Sequence, residues 1–548
     1  MKLTHSTVNY FESLDINNHF AFHKFKEILL KITFLGHAGF CVENDEVIII
    51  MDPWLSPNGA YDSAWFQLPG NHHLIDFVTD KLSENGKEKY LYISHEHKDH
   101  FDHFVLKSLK SDDFKFIIGD FRREVLKILV SQYPSKGIIA CKDREKIPIR
   151  GGYIRLFLDD TELNRDSAIL VSLDNIIFLN FNDCKKVDEI PAIKSEDGKI
   201  NIFACQYSGA TWHPTCYDYD KKEYESISRK KMIGKFESVA RAIESANPEV
   251  YLPSAGPPCF LDPVLYSINF EEVNIFPGPE KLTNYLDKRL KNKDIYYPIM
   301  MPGDTLDAKT KKIINYGTER VDEKSFKSYI ESYAAKYKDF FSKRKLEHPG
   351  EEIDSILEKL KTELEEKLDN LSLSSRISAP MYFILYDNDK KILRVDFTKN
   401  KVEFYDAVKD ENYYSISAPS WEIARVLDRI ITWDDFSLTF RMKLNRKPDV
   451  YQKIIEAYLV LEKEDLNEFC KKLLEIESQK ERLVIEAGGC RYSIDRFCPH
   501  EGGDLQQSWI EEDRYLVCPR HTWKYDLFNE GKCTENDTSI NAIILEND

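Results

Sequence analysis

The segment KYLYISHEHKDH, residues 89–100, decides the fold of the N-terminal half of the chain. KYLYIS predicts a buried strand, because short runs of aromatic and β-branched residues are typical of strands inside a sheet. His95, His97, Asp99 and His100 follow within six positions. A loop at a strand end can direct several imidazoles and a carboxylate into one cavity, as a divalent metal ion requires. A solvated polar turn would not explain this set, so we predict that all four residues bind metal and are catalytic.

On both sides of this segment, strands alternate with helices. ITFLGHAGFCV (32–42) and EVIIIMDPWLS (46–56) predict strands, and DHFVLKSLKS (102–111) predicts a helix. Strand and turn patterns continue to about residue 260. This alternation favours an α/β domain with helices layered on sheets.

The HEHKDH loop resembles the His-x-His-x-Asp-His motif of the metallo-β-lactamase superfamily, which implies an αββα sandwich. Asp52-Pro53 follows a β run, which is similar to the arrangement in this superfamily. The resemblance also implies that Asp183, in FLNFNDC, is a catalytic ligand able to bridge two metal ions. His37 lies in a Leu-Gly-His-Ala turn similar to that of lactonase-like members, and we assign it to the substrate pocket.

One histidine of this superfamily, expected near residues 155–170, is missing from the sequence. Glu162 is the candidate to replace it as a metal ligand, and Asp159, Asp160 and Asp166 lie close by. A carboxylate in place of an imidazole would favour iron or manganese over zinc. Two alternatives remain open: His213 reaches the site, or the site holds a single metal.

A second group of ligand residues lies near the C-terminus, as Cys498-Pro-His500 and Cys518-Pro-Arg-His521. Each pair joins a thiol to an imidazole, which suits a [2Fe–2S] cluster with cysteines on one iron and histidines on the other. A zinc ribbon is the alternative, but it usually places both cysteines in one knuckle. The two loops resemble those of the Rieske ferredoxin family, and CPRHTWKYDL resembles the second loop of oxygenase-associated members. The additional cysteines of respiratory Rieske proteins are absent, which favours an oxygenase-type electron carrier.

The chain is expected to contain four regions. Residues 1–30 form a leader, 31–261 the metallo-β-lactamase-like catalytic domain, 262–481 an α+β region that completes the catalytic half, and 482–548 an all-β Rieske domain. Within the third region, residues 350–371 predict an amphipathic helix and residues 381–406 a β meander. WEIARVLDRIITWDDF, residues 421–436, predicts further helix.

Composition limits the class of protein and of partner. The 548 residues are 42% hydrophobic, and 76 basic against 93 acidic residues give a net charge of −17. Nucleic acid and anionic membranes are therefore not expected as partners. No apolar run is long enough to span a membrane, and residues 1–20 lack the features of a secretory signal. Eleven cysteines without a disulfide pattern favour a cytoplasmic location.

Both metal motifs together resemble the CMP-N-acetylneuraminate hydroxylase family, which are Rieske oxygenases with a metallo-β-lactamase-like catalytic domain. DPWLS, FLNFNDC, YLPSAGPP and ITWDDFSLTF occur in the family's order across most of residues 31–450. In vertebrate members the Rieske module precedes the catalytic domain, whereas here it follows. GATWHPT also departs from the family's small-residue pocket loop, and it places Trp212 and His213 where substrate would bind.

The resemblance implies an O2-dependent monooxygenase acting on a small metabolite, such as a nucleotide-linked or N-acyl sugar. Electrons from NAD(P)H would pass through a separate reductase, ferredoxin or cytochrome to the cluster and then to one or two non-haem iron ions. Zinc and manganese are the alternative metals. No Gly-x-Gly-x-x-Gly motif for nicotinamide binding is present, which is why the reductase is expected to be another protein.

Two other functions remain open from the sequence. One is a zinc hydrolase in which metal-bound hydroxide attacks an ester, lactone or phosphodiester. The other is a pure electron-transfer protein with a vestigial N-terminal site. The sequence also leaves open whether the chain forms a homo-oligomer.

Overall fold

The computed structural model describes residues 30–161, 165–209, 211–317, 320–346, 352–388 and 391–545. The predicted leader, apart from Leu30, and the candidate ligand Glu162 lie outside the described residues.

Two mixed β-sheets face each other in the N-terminal half. The strands of the first are β1 (Lys31–Gly36), β2 (Gly39–Glu43), β3 (Val47–Met51), β4 (Glu88–Tyr92), β5 (Lys115–Gly119) and β6 (Ile138–Cys141). The second contains β7 (Lys146–Ile149), β8 (Gly152–Asp160), β9 (Arg165–Leu173), β10 (Ile176–Asn180), β11 (Ile202–Gln206) and β12 (Val250–Ser254). The first sheet is completed by β13 (Thr305–Asp307) and β14 (Lys312–Asn315). Strand orders are β14-β13-β1-β2-β3-β4-β5-β6 and β12-β11-β10-β9-β8-β7.

Helices cover the outer face of each sheet. The first sheet packs against α1 (Ile75–Ser83), α2 (His103–Ser108) and α3 (Val125–Val130). The second packs against α4 (Ile190–Asp197), α5 (Lys221–Ala246) and α6 (Pro279–Arg289). Phe40, Ile49 and Phe178 belong to the core between the sheets. Strand β3 is buried along its whole length, as expected for a strand with both faces covered. The predicted αββα sandwich is confirmed.

An α+β layer follows, with the helices α7 (Phe326–Leu346), α8 (Ile353–Asp369), α9 (Ser420–Leu427), α10 (Trp433–Leu438), α11 (Lys453–Val460) and α12 (Leu466–Glu477). Its strands are β15 (Met381–Leu385), β16 (Ile392–Asp396), β17 (Lys401–Tyr405), β18 (Tyr413–Ala418) and β19 (Lys443–Lys447), in the order β17-β16-β15-β18-β19. The predicted amphipathic helix is α8, and its apolar stripe is buried. The predicted helical segment 421–436 is divided into α9 and α10, because Arg429 has a φ of 59° and Thr432 caps a new helix.

The C-terminal module contains two small sheets. Their strands are β20 (Arg482–Ala487), β21 (Cys490–Asp495), β22 (Trp509–Glu511), β23 (Tyr515–Val517), β24 (Lys524–Asp526), β25 (Lys532–Cys533) and β26 (Ile543–Leu545). Strand orders are β20-β21-β26 and β22-β23-β24-β25. Cys498 and Cys518 lie in the core between them. Within the described ranges, no helix is long and apolar enough to cross a membrane.

Candidate metal centre and cluster site

Four side chains from three parts of the sandwich converge at the strand ends. Ligand atoms of His37, Asp99, His100 and Asp183 all lie within 4.8 Å of one another. His37 Nε2 lies 3.1 Å from Asp99 Oδ2. His100 Nε2 lies 3.9 Å from Asp99 Oδ2 and 3.7 Å from Asp183 Oδ2. We call these four residues the metal cluster.

Residues behind the metal cluster fix its imidazoles. Nδ1 of His100 lies 2.9 Å from Asp52 Oδ2, and Ser94 Oγ also donates to that carboxylate at 2.7 Å. Nδ1 of His37 lies 3.1 Å from the Gly256 carbonyl oxygen. His37 and Asp52 have φ values of 48° and 39°, which are unusual for non-glycine residues and typical of functional positions. Each ring therefore presents Nε2 to the cluster.

His95 and His97 form a second pair of facing nitrogens. His95 Nε2 lies 2.9 Å from His97 Nδ1. The outer nitrogens are held by carboxylates, with His95 Nδ1 3.2 Å from Asp166 Oδ1 and His97 Nε2 2.9 Å from Asp434 Oδ2. A carboxylate behind each imidazole fixes its tautomer and direction, as around metal-bound histidines.

The electrostatics favour ionised carboxylates in the metal cluster. Burial alone would raise their pKa values, but His100 holds the pKa of both Asp99 and Asp183 well below the usual range. Tyr61 donates to Asp99 Oδ1 at 2.5 Å, and burial beside this carboxylate raises the pKa of its hydroxyl. Tyr61 therefore stays a neutral donor at the edge of the site.

The residues present fit a metal ion. His100 Nε2 and Asp183 Oδ1 are buried and have no hydrogen-bond partner among the described residues. Such orphaned polar atoms are costly unless something binds them. Imidazole nitrogens and carboxylate oxygens together suit iron, manganese or zinc.

The structure brings together most of the predicted site residues. Asp183 meets Asp99 and His100 of the histidine loop, whereas His95 and His97 form the adjacent pair outside the metal cluster. His37, assigned to the substrate pocket from the sequence, lies inside the metal cluster instead. His213 lines the adjoining cavity, and burial lowers its pKa to about 2. Trp212 does not line that cavity and packs against the core of the α+β layer, so a substrate contact for it is not supported.

Sequence reasoning missed Tyr61 and Asp434 as site residues. Asp434 reaches His97 from α10, in the segment ITWDDFSLTF that marks the family resemblance outside either metal motif. That segment was the available signal for Asp434. No comparable signal marked Tyr61.

The C-terminal motif forms two similar loops. The Cys498 amide donates to the Gly503 carbonyl oxygen at 2.9 Å, and the Cys518 amide donates to that of Trp523 at 2.9 Å. The rings of His500 and His521 are 4.5 Å apart between centroids, and Trp523 stacks on His500 at 3.7 Å. Both thiols and both imidazoles therefore meet between the loops.

The four motif side chains fit a [2Fe–2S] cluster. The Nδ1 atoms of His500 and His521 are buried without a hydrogen-bond partner in the described part of the chain. Burial lowers the pKa of both imidazoles, which keeps them neutral as iron ligands. Burial opposes ionisation of Cys498, but hydrogen bonds with Cys518 and Tyr525 lower its pKa to about 7. The hydrogen bond with Cys498 and burial raise the pKa of Cys518 well above its usual range, so ligation by two thiolates would release the proton of this thiol.

A buried carboxylate lies behind the histidines of this motif. Glu501 Oε2 lies 3.1 Å from His521 Nε2, and Glu501 Oε1 lies 3.7 Å from His500 Nε2. Burial would raise the pKa of Glu501, but the two imidazoles hold it well below its usual range. The carboxylate therefore orients both rings from the outer side.

One cavity of about 870 Å³ joins the two groups of ligands. The residues from the metal region that line it are His95, His97, Asp99 and Asp183, and those from the C-terminal motif include Arg520, His521 and Trp523. The cluster motif therefore opens onto the same space as the metal cluster.

Two domain families match parts of the chain. The Rieske [2Fe-2S] domain matches residues 456–542, and the β-lactamase superfamily domain matches residues 31–161. One relative, from Mycolicibacterium smegmatis, is named as a Rieske 2Fe-2S iron-sulfur protein. It is 27% identical over 525 residues, which are 92% of this chain and 98% of the relative. Cytidine monophosphate-N-acetylneuraminic acid hydroxylase from Danio rerio is 23% identical over 459 residues, or 77% of this chain and 70% of the relative.

Among solved structures, the metallo hydrolase Igni18 from Ignicoccus hospitalis aligns with a TM-score of 0.33 and 18% identity, over 51% of this chain and 97% of its own. The two domain matches show that the chain has an N-terminal metallo-β-lactamase-like domain and a C-terminal Rieske [2Fe–2S] domain. It is a distant relative of the hydroxylase and of the mycobacterial proteins.

Proposed function

We propose that the chain is a Rieske-dependent iron monooxygenase that hydroxylates or oxidises a small anionic metabolite. The observation that carries this proposal is the shared cavity, in which His521 of the cluster motif faces the same space as His95 and Asp183. Hydrolysis consumes no electrons, so a hydrolase would have no use for this arrangement. An oxygenase needs it, because electrons must reach the metal where substrate is bound.

The donor set supports iron as the metal. The metal cluster offers two imidazoles and two carboxylates, with the His95–His97 pair beside it. Nitrogen and oxygen donors without thiolate are typical of non-haem iron sites. An iron centre bound there supplies one-electron redox chemistry with dioxygen.

The side chains around the cavity position substrate and limit water. Tyr61 donates to Asp99 and packs edge-to-face on Trp65 with centroids 4.8 Å apart. Both aromatic rings are buried, so they form a dry wall beside the ligands. Excluding water from such a site protects reactive species from side reactions.

Lysines in the cavity wall support an anionic substrate. Lys185 and Lys231 line the cavity and have no ion-pair partner among the described residues. Within the described part of the chain, Lys235 donates only to Gln206 Oε1, at 2.9 Å. Burial and the neighbouring Lys185 lower the pKa of Lys235 to about 8. Lysines without a direct ion-pair partner in one wall of the cavity fit a phosphate or carboxylate group on the substrate.

The proposal includes an external electron donor. The Rieske cluster carries one electron at a time, and the sequence lacks the glycine-rich motif for nicotinamide binding. A separate reductase, ferredoxin or cytochrome that draws on NAD(P)H would supply the electrons.

Metal analysis together with a reduction assay tests this function. We expect more than two irons per chain and dioxygen uptake that requires the reduced cluster. His97→Ala should leave chemical reduction of the cluster intact and abolish dioxygen uptake. Two irons plus zinc, with ester or phosphodiester cleavage that ignores the redox state, would establish the hydrolase instead.

A further inference from the structure

A single carboxylate of the sandwich holds both ligand loops of the Rieske domain. Asp188, in the 3₁₀ turn Val187–Glu189, accepts Arg520 Nε at 2.9 Å and Arg520 Nη2 at 3.0 Å. It also accepts the backbone N–H of Asp504 at 3.0 Å. Arg520 lies in the second loop and Asp504 directly follows the first. The side chains of Arg520 and Asp188 are only 8% and 2% exposed, so solvent weakly screens this bidentate ion pair.

Helices α5 and α11 support the same loops from other sides. A Cβ atom at Gly234 of α5 would lie 3.1 Å from Thr522 Oγ1, so glycine allows the close approach of this loop. One turn further along α5, Ser238 Oγ donates to the Pro519 carbonyl oxygen at 3.3 Å. Lys453 of α11 donates to the His500 carbonyl oxygen. The loops are thus fixed against the catalytic half of the same chain.

A continuous series of contacts runs from the second loop to the histidine loop. Arg520 Nη1 lies 3.7 Å from Asp159 Oδ1. Asp159 of β8 is paired in register with Asp166 of β9. Asp166 Oδ1 lies 3.2 Å from His95 Nδ1. Each step is made by residues of one polypeptide, along a wall of the shared cavity.

We propose that electrons pass from the cluster to the metal centre within one chain, and that Asp188 and Arg520 form the clamp that holds the cluster at the cavity for this transfer. The proposal rests on the oxygenase function above. In each transfer the cluster is oxidised by one electron and the metal centre is reduced by one. No covalent bond changes, and the external donor restores the electron. Asp188 is a positioning residue, because it contacts neither set of ligands.

A complementation experiment distinguishes transfer within a chain from transfer between chains. Asp183→Asn chains keep the cluster but lose a metal ligand, and Cys498→Ser chains keep the metal site but lose the cluster. When the two variants are mixed or co-expressed, the cluster of the Asp183→Asn chains, followed by its absorbance, should be re-oxidised no faster than in Asp183→Asn alone. The wild-type rate should not depend on protein concentration. Recovery in the mixture, or a rate proportional to concentration, would overturn the proposal.

The clamp is tested with Asp188→Asn and a matched control, Glu196→Gln. Glu196 of α4 forms more exposed ion pairs with Arg144 and Arg155, both at 2.8 Å, and contacts neither ligand loop. Asp188→Asn should slow cluster re-oxidation at least about tenfold, since small misplacements of reacting groups are costly. Amide hydrogen exchange in residues 500–504 and 520–523 should rise, while the absorption spectrum of the cluster stays unchanged.

The outcomes separate the clamp from the proposed function. If Asp188→Asn matches Glu196→Gln in both re-oxidation rate and hydrogen exchange, the clamp is wrong. If the wild-type cluster passes no electron to dioxygen under any condition, the oxygenase function fails. The exchange measurement then still decides whether Asp188 holds the ligand loops.

Discussion

His37 contributes to the metal cluster from a turn whose backbone is left-handed, with a φ of 48°. Its Nε2 lies 3.1 Å from Asp99 Oδ2, and its Nδ1 is tied to the Gly256 carbonyl. We expect His37→Ala to weaken metal binding at the N-terminal site at least as much as the loss of a residue that only orients a ligand. Such a loss typically lowers metal affinity by about 10- to 100-fold. Equilibrium dialysis against a chelator, followed by elemental analysis, would measure this loss.

His103→Ala is the matched control for this prediction. His103 lies just beyond the histidine loop, and its Nδ1 lies 2.5 Å from the Tyr133 hydroxyl rather than in the metal cluster. The control should keep wild-type metal content, and both variants should keep the two irons of the Rieske cluster. Equal metal loss in both variants would show that His37 is not a ligand.

Among individual site residues, the sequence predicted those that lie close together along the chain. His95, His97, Asp99 and His100 occupy one loop, so their convergence needs only a strand that ends beside a cavity. The role of His37 depends on a turn between β1 and β2, where its ring must face Asp99 across 62 positions of sequence. Only the packed sandwich determines that distance.

Helix α10 is the element that links the α+β layer to the catalytic residues. Thr432 caps it, and Asp435 completes the capping box, which directs the adjacent Asp434 toward His97. We expect Asp434→Asn to weaken metal binding by about 10- to 100-fold, because His97 loses the carboxylate that orients it. The stability of the Asp434→Asn variant should change little. Metal titration and thermal unfolding of the same preparations would check both.

The neighbouring substitution Asp435→Asn should have the opposite effects, lowering stability rather than metal affinity. It removes a carboxylate from the first turn of α10, where negative charge is favourable, and should cost about 0.3–1 kcal/mol of stability while leaving metal affinity unchanged. Similar metal affinities for the two variants would refute an orienting role for Asp434. The sequence predicted helix here, but not a break at 428–432. That break decides which of the two adjacent aspartates reaches His97, since it sets where the new helix begins.

Across the whole molecule, the αββα sandwich and the Rieske module were predictable because each has a local motif that dictates its ligands. Their mutual position was not predictable. It depends on contacts between distant residues, such as Asp188 with Arg520, whose partners carry no pattern of their own. Buried ion pairs of this kind recur at the junction between the sandwich and the α+β layer.

That junction is centred on Asp62, next to Tyr61 of the metal site. Arg425 Nη2 lies 2.6 Å from Asp62 Oδ1, and Arg344 also pairs with this carboxylate. Arg441 Nη1 lies 3.4 Å from Asp62 Oδ2, with a side chain only 3% exposed. Asp262 and Glu422 also pair with Arg441 and Arg344, so the loss of Asp62 leaves three buried arginines facing two carboxylates.

We therefore expect Asp62→Asn to destabilise the chain by about 3 kcal/mol, the lower end of the cost of removing one member of a buried ion pair, since Asp262 and Glu422 still face the arginines. Asp428→Asn is the control, since Asp428 pairs with Lys359 at 3.4 Å on the surface and should cost less than about 1 kcal/mol. Denaturant unfolding followed by tryptophan fluorescence would compare them. Asp62→Asn should also weaken metal binding, because Tyr61 shifts with its neighbour. Stability and metal affinity like those of the control would mean that the arginines are satisfied without Asp62.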